Sequence, residues 1–261
     1  MNGTGSKGAT AQTGERKRPL LIVVDAEGAH LYYTSMLLQR LEYFIHATKS
    51  AKDALEVMDV SEPALVLSET SLADMDGTEL LRKIKQSPRT YSIPVIMLTA
   101  SKDPLVKAAC LKDGCTAFLQ KPVEPDVLYA AIQKATESTP RRYIRLATSL
   151  NVIVGDDKAA EFAGSGDYIT ALSENGMYVS TAKPKPRGTE LPLTIFLRDA
   201  RIKVVGTVLY SFERGKGPLK TPGMGIQFLH IHPDDQNLIK HFIKGELTQD
   251  LTMGQIGGTV F

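Results

Sequence analysis

The amino-acid sequence predicts two domains of different class: an α/β domain on a doubly wound, five-stranded parallel sheet, then an antiparallel β-barrel with a C-terminal helix. Three observations carry this. Between Pro19 and about Thr136, short apolar runs alternate with segments of helical period. Beyond Glu137 the pattern becomes short apolar runs separated by Gly, Pro and Asn. The 261 residues, 43% of them hydrophobic, suffice for two cores at roughly 100–200 residues per domain.

The elements follow in order. LLIVV at 20–24, ALVLS at 64–68 and PVIMLT at 94–99 are continuous apolar runs, as in strands covered on both faces. AFLQ at 117–120 is a shorter version, and YFIHAT at 43–48 makes a fifth strand. Helical spacing is read over His30–Leu41, Lys52–Met58, Thr78–Lys85, Pro104–Asp113 and Asp126–Thr136. Such alternation implies βαβ units, with ligands outside the carboxyl ends of the strands. ESTPRR at 137–142 breaks the pattern, because Pro140 disfavours helix at Thr139. NVIV at 151–154, YITALS at 168–173, GMYVST at 176–181, LPLTIFLR at 191–198, RIKVVGTVLYSF at 201–212 and GMGIQFLHI at 223–231 are then strands of a barrel. From Pro233, an acidic first turn and a stripe of Leu238, Ile239, Phe242 and Ile243 predict a last helix. The expected division is a disordered tail over 1–18, domains over 19–136 and 137–248, and a tail over 249–261.

Composition narrows the functions. A formal net charge of +2 argues against a strongly basic nucleic-acid binder. Cys110 and Cys115 lack metal-site spacing and, with His46, fit packing roles in a reducing cytosol. No apolar run approaches the roughly 18–20 residues of a membrane span, and the N-terminal stretch, ending in Arg16-Lys17-Arg18, has no apolar signal core. A cytoplasmic protein is expected. His230 and His232 would share a strand face, but no third ligand is evident, so no metal is expected. KPKPRG at 183–188 and the basic FERGKGPLKTPG at 212–223 read as solvated connections.

The strand ends carry the first constellation. Asp25 follows LLIVV, Glu69 follows ALVLS, Thr99 closes PVIMLT and Lys121-Pro122 follows AFLQ. A single polar strand end is ordinary, but four in order converge on one sheet edge. With MDG at 75–77, the L-T-A run at 98–100 and Phe118, residues 19–136 resemble a response-regulator receiver domain. The resemblance implies a phosphoacceptor Asp after the third strand, an acidic pair after the first that helps hold Mg²⁺, and a Thr and Lys that read the phosphate. Here Glu69 stands at the phosphoacceptor position, Ala26 at the second acidic position with Glu27 beside it, and Ala73 at the usual Pro. Loss of an oxygen ligand weakens a Mg²⁺ site, and the extra methylene of Glu69 misplaces it as a nucleophile. The expectation is a degenerate phosphorylation site of Asp25, Glu69, Thr99 and Lys121, in which Lys121 pairs with Glu69 unaided.

The second constellation is R-x-x-x-R at Arg141 and Arg145, with Arg142 between, followed by A-x-S-x-x-G at Ala171, Ser173 and Gly176. With GMGIQFLHI on a short-strand pattern, residues 138–248 resemble a PilZ domain. The resemblance implies that Arg141, Arg142, Arg145, Ser173 and Gly176 bind cyclic di-GMP. Guanidinium groups fork onto phosphates and guanine edges and stack on bases, and glycine admits close backbone approach. Ala171 occupies the family's Asp or Asn position, and one missing hydrogen-bond partner costs about 1–3 kcal/mol, a roughly 5- to 150-fold loss of affinity. No nucleophile or acid–base pair appears in this domain, so binding without turnover is expected and no cofactor. The sequence therefore reads as a non-catalytic bacterial-type signalling protein, a pseudo-receiver coupled to a cyclic di-GMP-binding PilZ domain. The alternative is a nucleotide-independent protein–protein adaptor. Its partner is unknown and would engage the receiver-like domain; a homodimer is compatible with both readings.

Overall fold

A computed structural model describes residues 18–155, 166–216 and 221–251. Both predicted tails lie almost wholly outside these residues, as does the centre of the basic loop at 212–223.

The first apolar runs form β1 (Leu20–Val24), β2 (Phe44–Thr48), β3 (Leu65–Ser68), β4 (Val95–Thr99) and β5 (Ala117–Gln120), parallel in the order β2-β1-β3-β4-β5. The order explains the composition. β1, β3 and β4 are interior and almost wholly buried, whereas the edge strands β2 and β5 are only partly covered. The helices are α1 (Gly28–Arg40), α2 (Ala51–Val60), α3 (Gly77–Gln86), α4 (Pro104–Lys112) and α5 (Pro125–Thr136). Ile22, Val24, Val66, Val95 and Met97 pack with Leu80, Leu81 and Ile84 of α3 and with Cys110 and Cys115. Each fully buried aliphatic chain contributes about 1.5–3 kcal/mol.

Short polar side chains start the helices. Ser50, Asp76 and Asp103 accept backbone N–H groups of α2, α3 and α4. Asp74 accepts from the Lys52 and Ala51 amides and the Ser50 hydroxyl, which pull its carboxyl down to about 2 and pin the β3–α3 loop to the start of α2. That loop closes through Gly77, where a Cβ would lie 1.9 Å from the Glu69 carbonyl oxygen. The glycine of MDG is therefore needed for close approach beneath the sheet edge.

Beyond residue 145 the chain builds a closed barrel of β6 (Leu146–Val154), β7 (Tyr168–Ser173), β8 (Gly176–Ser180), β9 (Glu190–Leu197), β10 (Ala200–Phe212) and β11 (Gly223–His230), ordered β10-β11-β8-β7-β6-β9. Closure removes the unpaired edges that an open sheet of this length would present. Val152, Ile169, Val179, Leu193, Ile195, Ile202, Val208 and Met224 fill the interior. β10 turns the corner with register shifts at Val205/Gly206 and Val208/Tyr210. β6 begins five residues before the predicted NVIV, because its first part alternates half-buried and exposed residues rather than running apolar.

The last helix, α6 (Pro233–Thr248), buries Ile239, Ile243 and Leu247 at i, i+4 and i+8. Leu238, read as part of the stripe, is 46% exposed. His232 is not on a strand beside His230; its side chain caps α6 by accepting from the Asp234 amide. The partly buried ring of His46 is also hydrogen-bonded to Asp53 at 2.9 Å. Among the described residues no helix is long and apolar enough to cross a membrane.

By contacts the chain falls into two units, Thr148–Ala171 with Gly176–Ile231, and Arg18–Ala147 with Leu172–Asn175 and the segment from His232 onward. α6 thus packs with the parallel-sheet unit. Arg40, at the end of α1, donates from Nη1 to the Glu246, Leu247 and Gln249 carbonyl oxygens at 3.3, 3.0 and 2.7 Å, capping the C-terminus of α6. Lys244 pairs with Glu124, and Lys240 with Asp126 at 3.2 Å. These half-exposed pairs contribute at most about 1 kcal/mol each, so the guanidinium cap dominates. Arg40→Ala should lower stability by about 1–2 kcal/mol and raise amide exchange selectively in the last turn of α6, as read by hydrogen–deuterium exchange.

Candidate functional site

The carboxyl edge of the parallel sheet gathers three of the four residues singled out there. Lys121 Nζ lies 2.5 Å from Asp25 Oδ2 and 2.7 Å from Glu69 Oε2. The three side chains are only 8, 6 and 11% exposed. β1 delivers Asp25, β3 delivers Glu69 and β5 delivers Lys121, which begins a cis Lys121-Pro122 peptide.

Thr99 joins through a residue that sequence reasoning missed. Thr70 donates its amide and its hydroxyl to Glu69 Oε1, at 2.6 and 2.9 Å. Its Oγ1 lies 2.7 Å from Thr99 Oγ1, which also accepts the Ser101 amide. Nothing in the sequence flags Thr70, because a threonine after a strand is unremarkable until the fold sets it beside Thr99.

Burial pushes the Glu69 carboxyl up, but hydrogen bonds from Lys121, Thr99 and the Thr70 amide, with the Lys121 charge, outweigh it and hold the group below its ordinary value. Both Glu69 oxygens are thus engaged. Asp25 Oδ1 accepts the Glu27 amide. The Glu27 carboxylate turns away to His30 at 2.8 Å.

This donor set does not fit Mg²⁺. Ala26 offers no side-chain oxygen, Asp25 and Glu69 each give an oxygen to an ammonium, and Glu27 is paired elsewhere. Among the described residues no three His, Cys, Asp or Glu side chains are grouped to hold a metal ion. Two carboxylates against one ammonium leave the cluster net negative, which disfavours approach of an anion.

The arginine constellation lies on the connection between α5 and β6. The half-buried Arg141 donates its amide to Gln133 Oε1 of α5 at 3.2 Å. Arg142 is exposed, with its guanidinium 5.3 Å from the Tyr143 ring centroid. Arg145 is exposed just before β6. Ser173 ends β7 and Gly176 begins β8, across the two-residue turn Glu174-Asn175. A Cβ on Gly176 would lie 2.3 Å from the Ile226 carbonyl oxygen, so the approach of β11 alone demands glycine there.

Set beside known proteins, residues 21–133 match the response regulator receiver domain family and residues 139–245 match the PilZ domain family. The two-component response regulator ORR7 of Oryza sativa subsp. japonica is 34% identical over 107 residues, which cover 40% of this chain and 50% of that protein. ORR11 of Oryza sativa subsp. indica is 30% identical over 123 residues, covering 46% of this chain and 83% of that protein. Among solved structures, the signal receiver domain of an HD domain-containing protein from Pseudomonas fluorescens Pf-5 is 32% identical. It covers 46% of this chain and 94% of that chain, with a TM-score of 0.43. The chain spans half the length of ORR7. It belongs to the response regulator receiver family in its first half and carries a PilZ domain in its second.

Two outcomes follow from the charge cluster. Lys121→Met should cost about 3–5 kcal/mol, because it leaves two buried carboxylates without a cation, as measured by chemical denaturation. Glu69, its carboxyl held below the ordinary 4.5, stabilises the fold fully above that value, and the contribution disappears as pH falls through the lower folded-state value. Glu69→Gln should therefore flatten the fall in melting temperature on acidification.

Proposed function

We propose that this chain is a non-catalytic signalling effector whose PilZ domain, over 137–248, binds cyclic di-GMP through Arg141, Arg142, Arg145, Ser173 and Gly176. The carrying observation is the R-x-x-x-R run at 141–145 followed by Ser173 and Gly176 at the β7–β8 turn, inside the PilZ match. A cyclic dinucleotide presents two phosphates and two purines. Exposed guanidinium groups suit both, by forked hydrogen bonds and by stacking. Binding that orders the 137–145 connection alters the tether between the α/β domain and the barrel, a direct route from ligand to output.

The α/β domain, over 19–136, acts in this reading as a pseudo-receiver. Lys121 already has two carboxylate partners, and both Glu69 oxygens already accept hydrogen bonds, Oε1 from Thr70 and Oε2 from Lys121. Asp25, Glu69, Thr99 and Lys121 then hold one state without phosphoryl chemistry. Position 171 favours a second reading, a nucleotide-independent adaptor, because alanine cannot accept a hydrogen bond from guanine.

Isothermal titration of the full chain decides. Cyclic di-GMP should bind the wild type, and Arg141→Ala should weaken it about tenfold or more, the worth of one charge-assisted contact. No heat with the wild type establishes the adaptor reading. Incubation with acetyl phosphate should leave the chain unlabelled; stoichiometric labelling overturns the pseudo-receiver.

A further inference from the structure

The outer face of the barrel carries an aromatic cluster that none of the preceding assignments uses. On β8, Met177 and Val179 point inward, at 5 and 0% exposure, so Tyr178 between them points out. On β11, Met224 and Ile226 are interior, so Gly223 and Gly225 lie on the outside. The register shift after Val208 brings Tyr210 of β10 opposite Gly225, and Phe212 opposite Gly223. Tyr178 also pairs with Gly225, from the other side. Two tyrosines from flanking strands thus meet over a glycine floor.

The space over Gly225 is filled by the Tyr210 ring, and that over Gly223 by the Tyr178 ring together with the Val179 carbonyl. A Cβ on Gly225 would lie 2.3 Å from Cζ of Tyr210, and one on Gly223 would lie 2.7 Å from the Tyr178 hydroxyl. Tyr178 and Tyr210 stack at 6.3 Å between centroids and 30° between planes, and Phe212 backs Tyr210 at 5.6 Å. Tyr210 remains 40% exposed. Covering sheet glycines with aromatic rings is a stabilising device in its own right. However, the Tyr178 hydroxyl is buried with no hydrogen-bond partner among the described residues. A cluster serving stability alone gains nothing from that hydroxyl.

Its position points to a ligand. Ala171 is carried by β7, which neighbours the β8 strand of Tyr178 in the barrel and joins it through the turn at Glu174-Asn175. The residue that cannot hydrogen-bond a base therefore lies on the strand next to one that bears the aromatic ledge. Nearby, the β8–β9 loop carries exposed Lys183, Lys185 and Arg187. Its backbone is tied to Met224 and to Val208. Aromatic surface beside exposed positive charge is the combination that holds phosphate-bearing bases without reading their edges.

We propose that Tyr210, backed by Tyr178 and Phe212, is a base-stacking ledge of the cyclic-dinucleotide site and supplies by stacking what Ala171 cannot supply by hydrogen bonding. The proposal rests on the nucleotide-binding reading of the PilZ domain and deepens it. Stacking accepts any purine, so the site discriminates weakly between guanine and adenine. An acceptor restored at 171 reinstates the preference.

The test is isothermal titration of the full chain with cyclic di-GMP and with cyclic di-AMP. The wild type should bind both, with comparable affinity. Tyr210→Ala should weaken both by roughly 5- to 150-fold, the worth of one stacked base, while Tyr210→Phe, which keeps the ring over Gly225, leaves them unchanged. Ala171→Asp should strengthen cyclic di-GMP alone. If Tyr210→Phe weakens binding as Tyr210→Ala does, or if folded Tyr210→Ala binds like the wild type while Arg141→Ala does not, the ledge is wrong and the nucleotide reading stands. A wild type that binds cyclic di-GMP and rejects cyclic di-AMP also overturns the ledge. A wild type that binds neither overturns both.

Discussion

A buried ammonium needs anions, and Lys121 has two. Its contacts to Asp25 and Glu69 join the ends of β1, β3 and β5 into one electrostatic knot at the carboxyl edge of the sheet. Neighbouring features serve it. Thr70 satisfies the second Glu69 oxygen and hands the network on to Thr99. Gly77 lets α3 start directly under the Glu69 carbonyl, and Asp74 pins the intervening loop to α2. In a site this buried each unpaired charge is expensive, so these interactions persist together or fail together.

Glu69 is the hinge of this arrangement, since its two oxygens face different partners. Oε2 meets the Lys121 ammonium while Oε1 stays with the strand end that carries Thr70. The barrel solves a different problem. Glycine permits close strand approach at Gly176, makes room for the Ile226 side chain at Gly206 and for the Tyr210 ring at Gly225, and at Gly223 admits both the Val179 carbonyl and the Tyr178 ring. One half of the chain is organised by charge and the other by packing.

Much of this was legible in the sequence. Continuous apolar runs marked the interior strands because burial on both faces leaves no room for polar residues. Asp25, Glu69, Thr99 and Lys121 stood at strand ends, and a parallel topology brings strand ends together. What escaped was what depends on the third dimension. β6 starts at Leu146 within an alternating stretch that carries no apolar run. The buried stripe of α6 is Ile239, Ile243 and Leu247, with Leu238 outside, because the helix is rolled by its packing. Gly176 read as a ligand position, yet β11 demands it regardless. Thr70 and the Tyr178–Tyr210 pair carry no local signal, since their partners lie on other strands.

The cap that Arg40 places on α6 has a consequence for how the molecule can be divided. By family boundaries the helix falls in the second half, whereas its terminal carbonyls are held by a guanidinium some two hundred positions earlier in the chain. Expressing either half alone separates the two. An isolated N-terminal fragment would bare the apolar surface that Ile243 and Leu247 cover, inviting self-association. An isolated C-terminal fragment would carry a helix frayed at its end. Measurements on excised pieces would then report artefacts of the cut as though they were native behaviour.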